Sequence, residues 1–220
     1  SFSYPSGRSV LRDVSLTLRK GEFVGVVGDS GQGKTTFVNL LMRFYDPVEG
    51  NILWDGVDLR AVRLDSLRKA VVSVPQEDGM FNATLRENIV LGRPGVGEDQ
   101  FLRACRQAGV DRFAESLEHG YDTHLGENGV KLSTGQRKRI AIARALLFDP
   151  DVIVLDEATS VLDEATERDI LATVKELSRT RLVIVVTHKI SNLAIADRLL
   201  RVDGGTIEEI SDKKLLGAKN

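Results

Sequence analysis

The chain has 220 residues, 42% hydrophobic and 28% charged; this suits one globular domain, or a core with a small insert, and excludes disorder, collagen and low complexity. Lys and Arg number 30 against 32 Asp and Glu, a net charge of -2, so no basic excess advertises nucleic acid. One cysteine, Cys105, excludes an intrachain disulfide framework and suits a reducing compartment.

The first third reads as strands. Val14, Leu16 and Leu18 alternate with Ser15 and Thr17, the period of a half-buried strand. Phe23 to Val27 is nearly all apolar, as for a strand covered on both faces. A glycine-rich turn follows, then a helix over Thr36 to Phe44. Asp55-Gly56 marks a hairpin within Asn51 to Leu59. Leu64 to Lys69 reads as a short helix before a strand from Ala70 to Val74. From Phe81 to about Leu147 the pattern is helical, an expected insert. Val152 to Leu155 and Leu182 to Val186 read as buried strands, separated by an amphipathic helix over Thr166 to Leu177. Asp203-Gly204-Gly205 turns a last hairpin within Arg198 to Ile207. Strands alternating with helices predict a largely parallel sheet. Apolar runs fall far short of the ~18 residues of a membrane span. With neither signal peptide nor initiator Met, the chain is expected to be a piece of something longer.

Gly28-Asp29-Ser30-Gly31-Gln32-Gly33-Lys34-Thr35 matches G-x-x-x-x-G-K-[ST], between a predicted strand and a predicted helix as the motif requires. Three glycines allow backbone conformations closed to residues with a side chain, so the loop can wrap an anion. Its N–H groups and the positive end of the next helix then face that anion. Lys34 supplies a point charge for β- and γ-phosphates, and the Thr35 hydroxyl can sit on Mg2+. The expected nucleotide contacts are Gly28, Asp29, Ser30, Gly31, Gln32, Gly33, Lys34 and Thr35, with Thr36 beside them. A glycine-rich turn that happens to carry Lys-Thr is the blander reading, and its context disfavours it.

Hydrolysis further needs a metal anchor and a residue that positions water. Asp156-Glu157 follows the apolar run Val152 to Leu155, at the strand end where ligands bind in parallel sheets. Asp156 is expected to hold Mg2+ or its water, and Glu157 to accept a proton from, or polarise, attacking water. Alone, such a pair could equally cap the next helix; the upstream loop decides for chemistry. His188 follows the strand Leu182 to Val186 and can reach the same crevice, to bond the γ-phosphate and water. His119 and His124 lie in a polar stretch and carry no expected role.

These pieces, in this order, resemble the nucleotide-binding domain of ATP-binding cassette (ABC) transporters. The most specific segment is Leu132-Ser133-Thr134-Gly135-Gln136 with the run Arg137 to Ala145, similar to the family's LSGGQ signature and its helix. The resemblance implies an α/β P-loop NTPase core with a mainly parallel sheet, an antiparallel β subdomain and a helical subdomain insert. Residues 1–80 and 148–220 would be core with the β subdomain, and 81–147 the helical subdomain. It further implies ATP and Mg2+ as ligands, bound in a head-to-tail dimer. One subunit's loop would face Ser133, Gly135 and Gln136 of a second, identical or divergent, ATPase domain. Ser133 and the Gly135 N–H, at a helix start, read as the second phosphate contact.

Other implied roles follow in order. Tyr4 resembles the aromatic residue that stacks on adenine, and Gln76 the glutamine that contacts Mg2+ and senses the membrane domains. Ser160 to Asp163 resembles the loop whose aspartate crosses the dimer. Phe44 to Pro47, Thr84 to Ile89 and Tyr121 to Glu127 are similar to exporter segments. The implied partners are therefore transmembrane domains, met through Gln76 and the helical insert at the cytoplasmic face of a membrane, and not nucleic acid. Thr134 departs from the family's glycine and is expected to weaken turnover at most. The alternatives are a soluble ABC ATPase of DNA maintenance or translation, and a non-hydrolytic nucleotide sensor. A GTPase is disfavoured because no Asn-Lys-x-Asp segment is present to read guanine.

Overall fold

Period-2 alternation sorts the apolar strand residues into two layers, one on each face of a central sheet. The computed structural model describes residues 1–188 and 190–210. In chain order it runs β1 (Phe2–Ser3), β2 (Ser9–Leu11), β3 (Phe23–Val27), α1 (Lys34–Leu41), β4 (Leu53–Trp54), β5 (Val57–Asp58), α2 (Leu64–Ala70) and β6 (Val71–Val74). Then come α3 (Leu85–Val90), α4 (Glu98–Ala108), α5 (Asp111–Ala114), α6 (Thr134–Leu146), β7 (Val152–Asp156), α7 (Glu164–Leu177), β8 (Leu182–Val186), β9 (Arg198–Asp203) and β10 (Thr206–Glu209). The main sheet has the order β10-β9-β3-β8-β7-β6. Its pairs are parallel except β9 with β10 at the edge. β1-β2 and β4-β5 form two separate antiparallel pairs.

Val24, Val26, Val154 and Ile184 pack on one face with Phe37 of α1 and Leu67 of α2. Phe23, Val27, Ile153 and Val183 pack on the other with Ile140 of α6 and Ile170 of α7. Strands buried on both sides explain the near-continuous apolar runs in the sequence. Adjacent parallel strands also share one C-terminal edge: Val26 pairs with Val186, and Val186 with Asp156. The glycine loop after β3, Asp156-Glu157 at the end of β7 and Thr187-His188 after β8 therefore leave the sheet side by side.

Two expectations change. Val14 to Leu18 is not a strand; Val14, Leu16 and Leu18 are half-buried against the core instead. Alternation records one-sided burial, and this segment obtains it without a strand ladder, with Arg198 Nη1 donating to Thr17 O at 2.7 Å. The helix after the loop ends at Leu41 rather than Phe44, because Arg43 turns into the left-handed region (φ 53°). The expected helical stretch contains α3 to α6, with short 3-10 turns at Gly120–Asp122 and Glu127–Gly129 between α5 and α6. Residues 211–220, assigned from sequence to the core, lie outside the described residues. Among the described residues no helix is long and apolar enough to cross a membrane.

Candidate active site

The loop from Gly28 to Gly33 is shaped by its neighbours. A Cβ on Gly28 would lie 2.3 Å from the backbone oxygen of Val202, so β9 leaves room for glycine alone. Gly33, at φ 116°, occupies the N-cap position of α1, a conformation that L side chains rarely adopt. Lys34 is buried, and its Nζ donates to Gly28 O at 2.7 Å and Asp29 O at 2.9 Å, spanning the loop. Asp29, Ser30, Gly31 and Thr35 are exposed. The Gln32 side chain turns away from the loop's interior: its Oε1 accepts from Gly204 N at 3.2 Å. The Thr36 hydroxyl is buried against the Tyr4 hydroxyl at 2.9 Å. Tyr4 in turn packs edge-on to Phe2 and Tyr45, with ring centroids 5.0 and 5.3 Å away. Thr36 thus anchors the aromatic residue to the start of α1.

Across the shared strand edge stand the carboxylates. Burial pushes the Asp156 carboxyl up, the neighbouring charge of Glu157 pushes it further, and Lys34 opposes both. Glu157 sits at φ 49°, in the left-handed region that a side chain disfavours. It is held there by its N–H on Val186 O at 2.9 Å, and by the Ser160 hydroxyl donating to its carbonyl at 2.9 Å. Strain kept by such contacts is characteristic of functional positions. His188 is exposed, with Nδ1 4.0 Å from Glu157 Oε1. The structure brings Lys34, Asp156, Glu157 and His188 together. The paired carboxylates Asp156 and Glu157, with the exposed Thr35 hydroxyl at the end of the loop, offer hard oxygen donors that fit Mg2+.

Ser133 is the N-cap of α6 in a capping box: Gln136 N donates to Ser133 Oγ at 3.2 Å, and Ser133 N to Gln136 Oε1 at 2.9 Å. The Ser133 oxygen accepts in this box, so its own proton remains a donor for an anion. The Gln136 oxygen serves the cap. Gly135 is buried, and a Cβ there would lie 2.5 Å from Thr166 Cγ2, so close packing of α7 requires the glycine. The Thr134 hydroxyl accepts from Arg137 Nη2 at 3.1 Å, which draws the side chain back along the helix. Asp163 caps α7, accepting from Thr166 N at 3.0 Å.

Sequence reading missed two connections. Gln76 Nε2 donates to Ser160 Oγ at 3.3 Å, and Ser160 in turn donates to the Glu157 carbonyl, so Gln76 is linked to the strained backbone of Glu157. Lys138 of α6 and Asp78 form a pair at 2.6 Å with 0% and 6% of their side chains exposed. The signal for the second was a lysine inside an otherwise apolar helix face.

The family described as ABC transporter matches residues 11–160. The heterocyst differentiation ATP-binding protein HepA of Nostoc sp. is 44% identical over 94% of this chain and 34% of its own length. An ATP-dependent lipid A-core flippase of Syntrophus aciditrophicus is 44% identical over 100% of this chain and 36% of its own. A solved bacterial Atm1-family ABC exporter with ATP bound matches 98% of this chain and 38% of that one, at 42% identity and a TM-score of 0.84. The chain thus spans about a third of the length of these relatives. The readings as a DNA-maintenance or translation ATPase, or as a sensor, find no support among them. The phosphate loop, the carboxylates at the end of β7 and the signature-capped helix all lie within the matched residues. The chain belongs to the ABC transporter family, as an ATP-binding ATPase domain.

Proposed function

We propose that this chain powers export across a membrane by hydrolysing ATP in a head-to-tail dimer with a second ATPase domain, identical or divergent. The observation that carries the reading is the convergence of the Lys34 loop, Asp156-Glu157 and His188 at the ends of three adjacent strands. The Ser133 helix start lies on the same chain, as the second phosphate contact. Lys34 and the loop amides hold the phosphates, and Tyr4 offers its ring to adenine. Thr35, Asp156 and Gln76 would hold Mg2+, which when bound neutralises phosphate charge. Glu157 takes a proton from water as the water oxygen bonds the γ-phosphorus and the bond to ADP breaks. His188 holds the γ-phosphate and that water, and Ser133, Gly135 and Gln136 complete the partner's site.

Coupling would run through the surface around Gln76 and the helical stretch, with the domain at the cytoplasmic face. Two exporter-like segments meet there: Thr84 bridges His124, and Leu125 N donates to Ala83 O at 3.0 Å. Exposed Phe81 and Val130 lie beside them in sequence. That pairing supports one surface built from both segments. The test is Glu157→Gln in the full-length protein. ATP binding should persist, turnover should vanish and a nucleotide-bound dimer should accumulate. Parental hydrolysis by that variant would remove Glu157 as the base.

A further inference from the structure

Lys138 spends all three of its N–H bonds inside the protein. Its Nζ donates to Pro75 O and Gln76 O, each at 3.0 Å, and to Asp78 Oδ1 at 2.6 Å. The side chain is fully buried, so the ammonium is tolerated only because every donor is satisfied. Were the contact needed merely to fasten two elements, an apolar pair would serve as well, since buried ion pairs are often replaceable without loss. An ammonium on two successive carbonyls does something an apolar pair cannot: it fixes the peptide planes on either side of Gln76. Those planes decide where the Gln76 side chain leaves the backbone, and that side chain reaches Ser160 beside Glu157. Lys138 stands on α6, whose N-terminus is capped by Ser133. Arg144, further along the same helix, extends the attachment with Nη1 on Gly79 O and Nε on Asn88 O, both at 2.7 Å.

We propose that Lys138 is a positioning residue that fastens the Gln76 backbone to the signature helix, so that Gln76 in one ATP site and Ser133 in the partner's site move as one body. The inference rests on the roles proposed above for Gln76 and Ser133. It makes the Lys138–Asp78 pair the link through which each composite site senses the other.

The test compares the parent full-length protein with Lys138→Met/Asp78→Leu and with Gln76→Ala. Removing both charges together leaves none unpaired, so the double variant should fold with a thermal midpoint close to the parent's. In the nucleotide-free protein, amide hydrogen exchange over residues 76–80 should quicken about tenfold. The half-saturating Mg2+ concentration should rise about tenfold and kcat fall about tenfold, with the KM for ATP within about twofold. The Hill coefficient for ATP should fall toward one, and Lys138→Arg should restore part of each effect. A folded double variant with parental exchange, Mg2+ dependence and kcat would overturn the inference and leave Lys138 a structural residue. If Gln76→Ala is impaired while that variant is not, only the Lys138 step fails. If Gln76→Ala is itself parental, the proposed role of Gln76 fails and takes this inference with it. Should the double variant not fold, Lys138→Gln/Asp78→Asn carries the same readouts, since it shortens the reach to both carbonyls, keeps polar groups in place and leaves no charge unpaired.

Discussion

Gly135 shows how one residue can serve packing and chemistry together. Its missing Cβ makes room for Thr166 Cγ2 on α7, 2.5 Å from where that carbon would stand. Gly135→Ala should therefore cost about 1–3 kcal/mol of stability by overpacking. Thr166→Ser in the same chain removes the clashing methyl and should recover most of the loss, read as denaturation midpoints. An unrecovered loss would place the penalty in the backbone instead. His188 makes a different case, because it is exposed and lies 4.0 Å from Glu157 without a hydrogen bond between them. Nothing in the fold leans on that contact, so His188→Ala should leave stability and ATP affinity nearly intact while lowering kcat by about 100-fold or more. Equal loss of affinity, measured by nucleotide titration, would mean the imidazole holds ground-state ATP. Both residues were legible from sequence, one by motif and one by its place after a strand. The contacts of Lys138 and Ser160 were not, because their partners Asp78 and Gln76 lie 60 and 84 positions away and no local pattern announces such pairs.

Helices and strands were readable wherever burial alone dictates form. β3, β7 and β8 are buried on both faces and were legible as continuous apolar runs. Val14 to Leu18 has the right alternation without a ladder, since alternation reports which side is covered and not whether a neighbouring strand is present. Helix starts were less legible. The helix expected from Thr166 begins at Glu164, with Asp163 as its N-cap, whose carboxylate accepts from Thr166 N at 3.0 Å. The Thr166 N–H holds that carboxyl below its ordinary value of 3.8. A lowered folded pKa means the cap's contribution is fully present above the unfolded value and is lost as pH falls through the folded one. Asp163→Asn keeps a side-chain oxygen at the cap and removes the titration. The difference in stability between parent and variant should hold steady above about pH 4 and change as the solution is acidified below it. A difference independent of pH down to pH 2 would show that the cap does not titrate with folding.

At the scale of the assembled molecule, the decisive feature is that one chain carries two proposed phosphate-binding ends, the Lys34 loop and the Ser133 helix start, on separate elements. If each ATP is enclosed by one end from either subunit, inactivating the two ends on different chains has an arithmetic consequence. Where the partner is a second copy of this chain, Lys34→Ala and Ser133→Ala proteins should each be nearly inactive alone. Mixed in equal amounts and allowed to exchange, half of the dimers would pair one variant with the other. In such a dimer both lesions fall in the same site, and the second site receives an intact Lys34 from one chain and an intact Ser133 from the other. The mixture should then recover about a quarter of parental ATPase activity, since half the dimers carry one working site of two. Two lesions that acted within a single subunit would show no recovery at any mixing ratio, because no subunit in the mixture is whole. Replacing the Ser133 variant by Lys138→Met/Asp78→Leu tests the fastening directly. In that mixed dimer the one site with an intact Lys34 holds the unfastened Gln76 of the same chain beside an intact Ser133 from the other. With the double variant's own activity subtracted, any shortfall from about a quarter of the parental rate measures how far an enclosed site depends on that fastening.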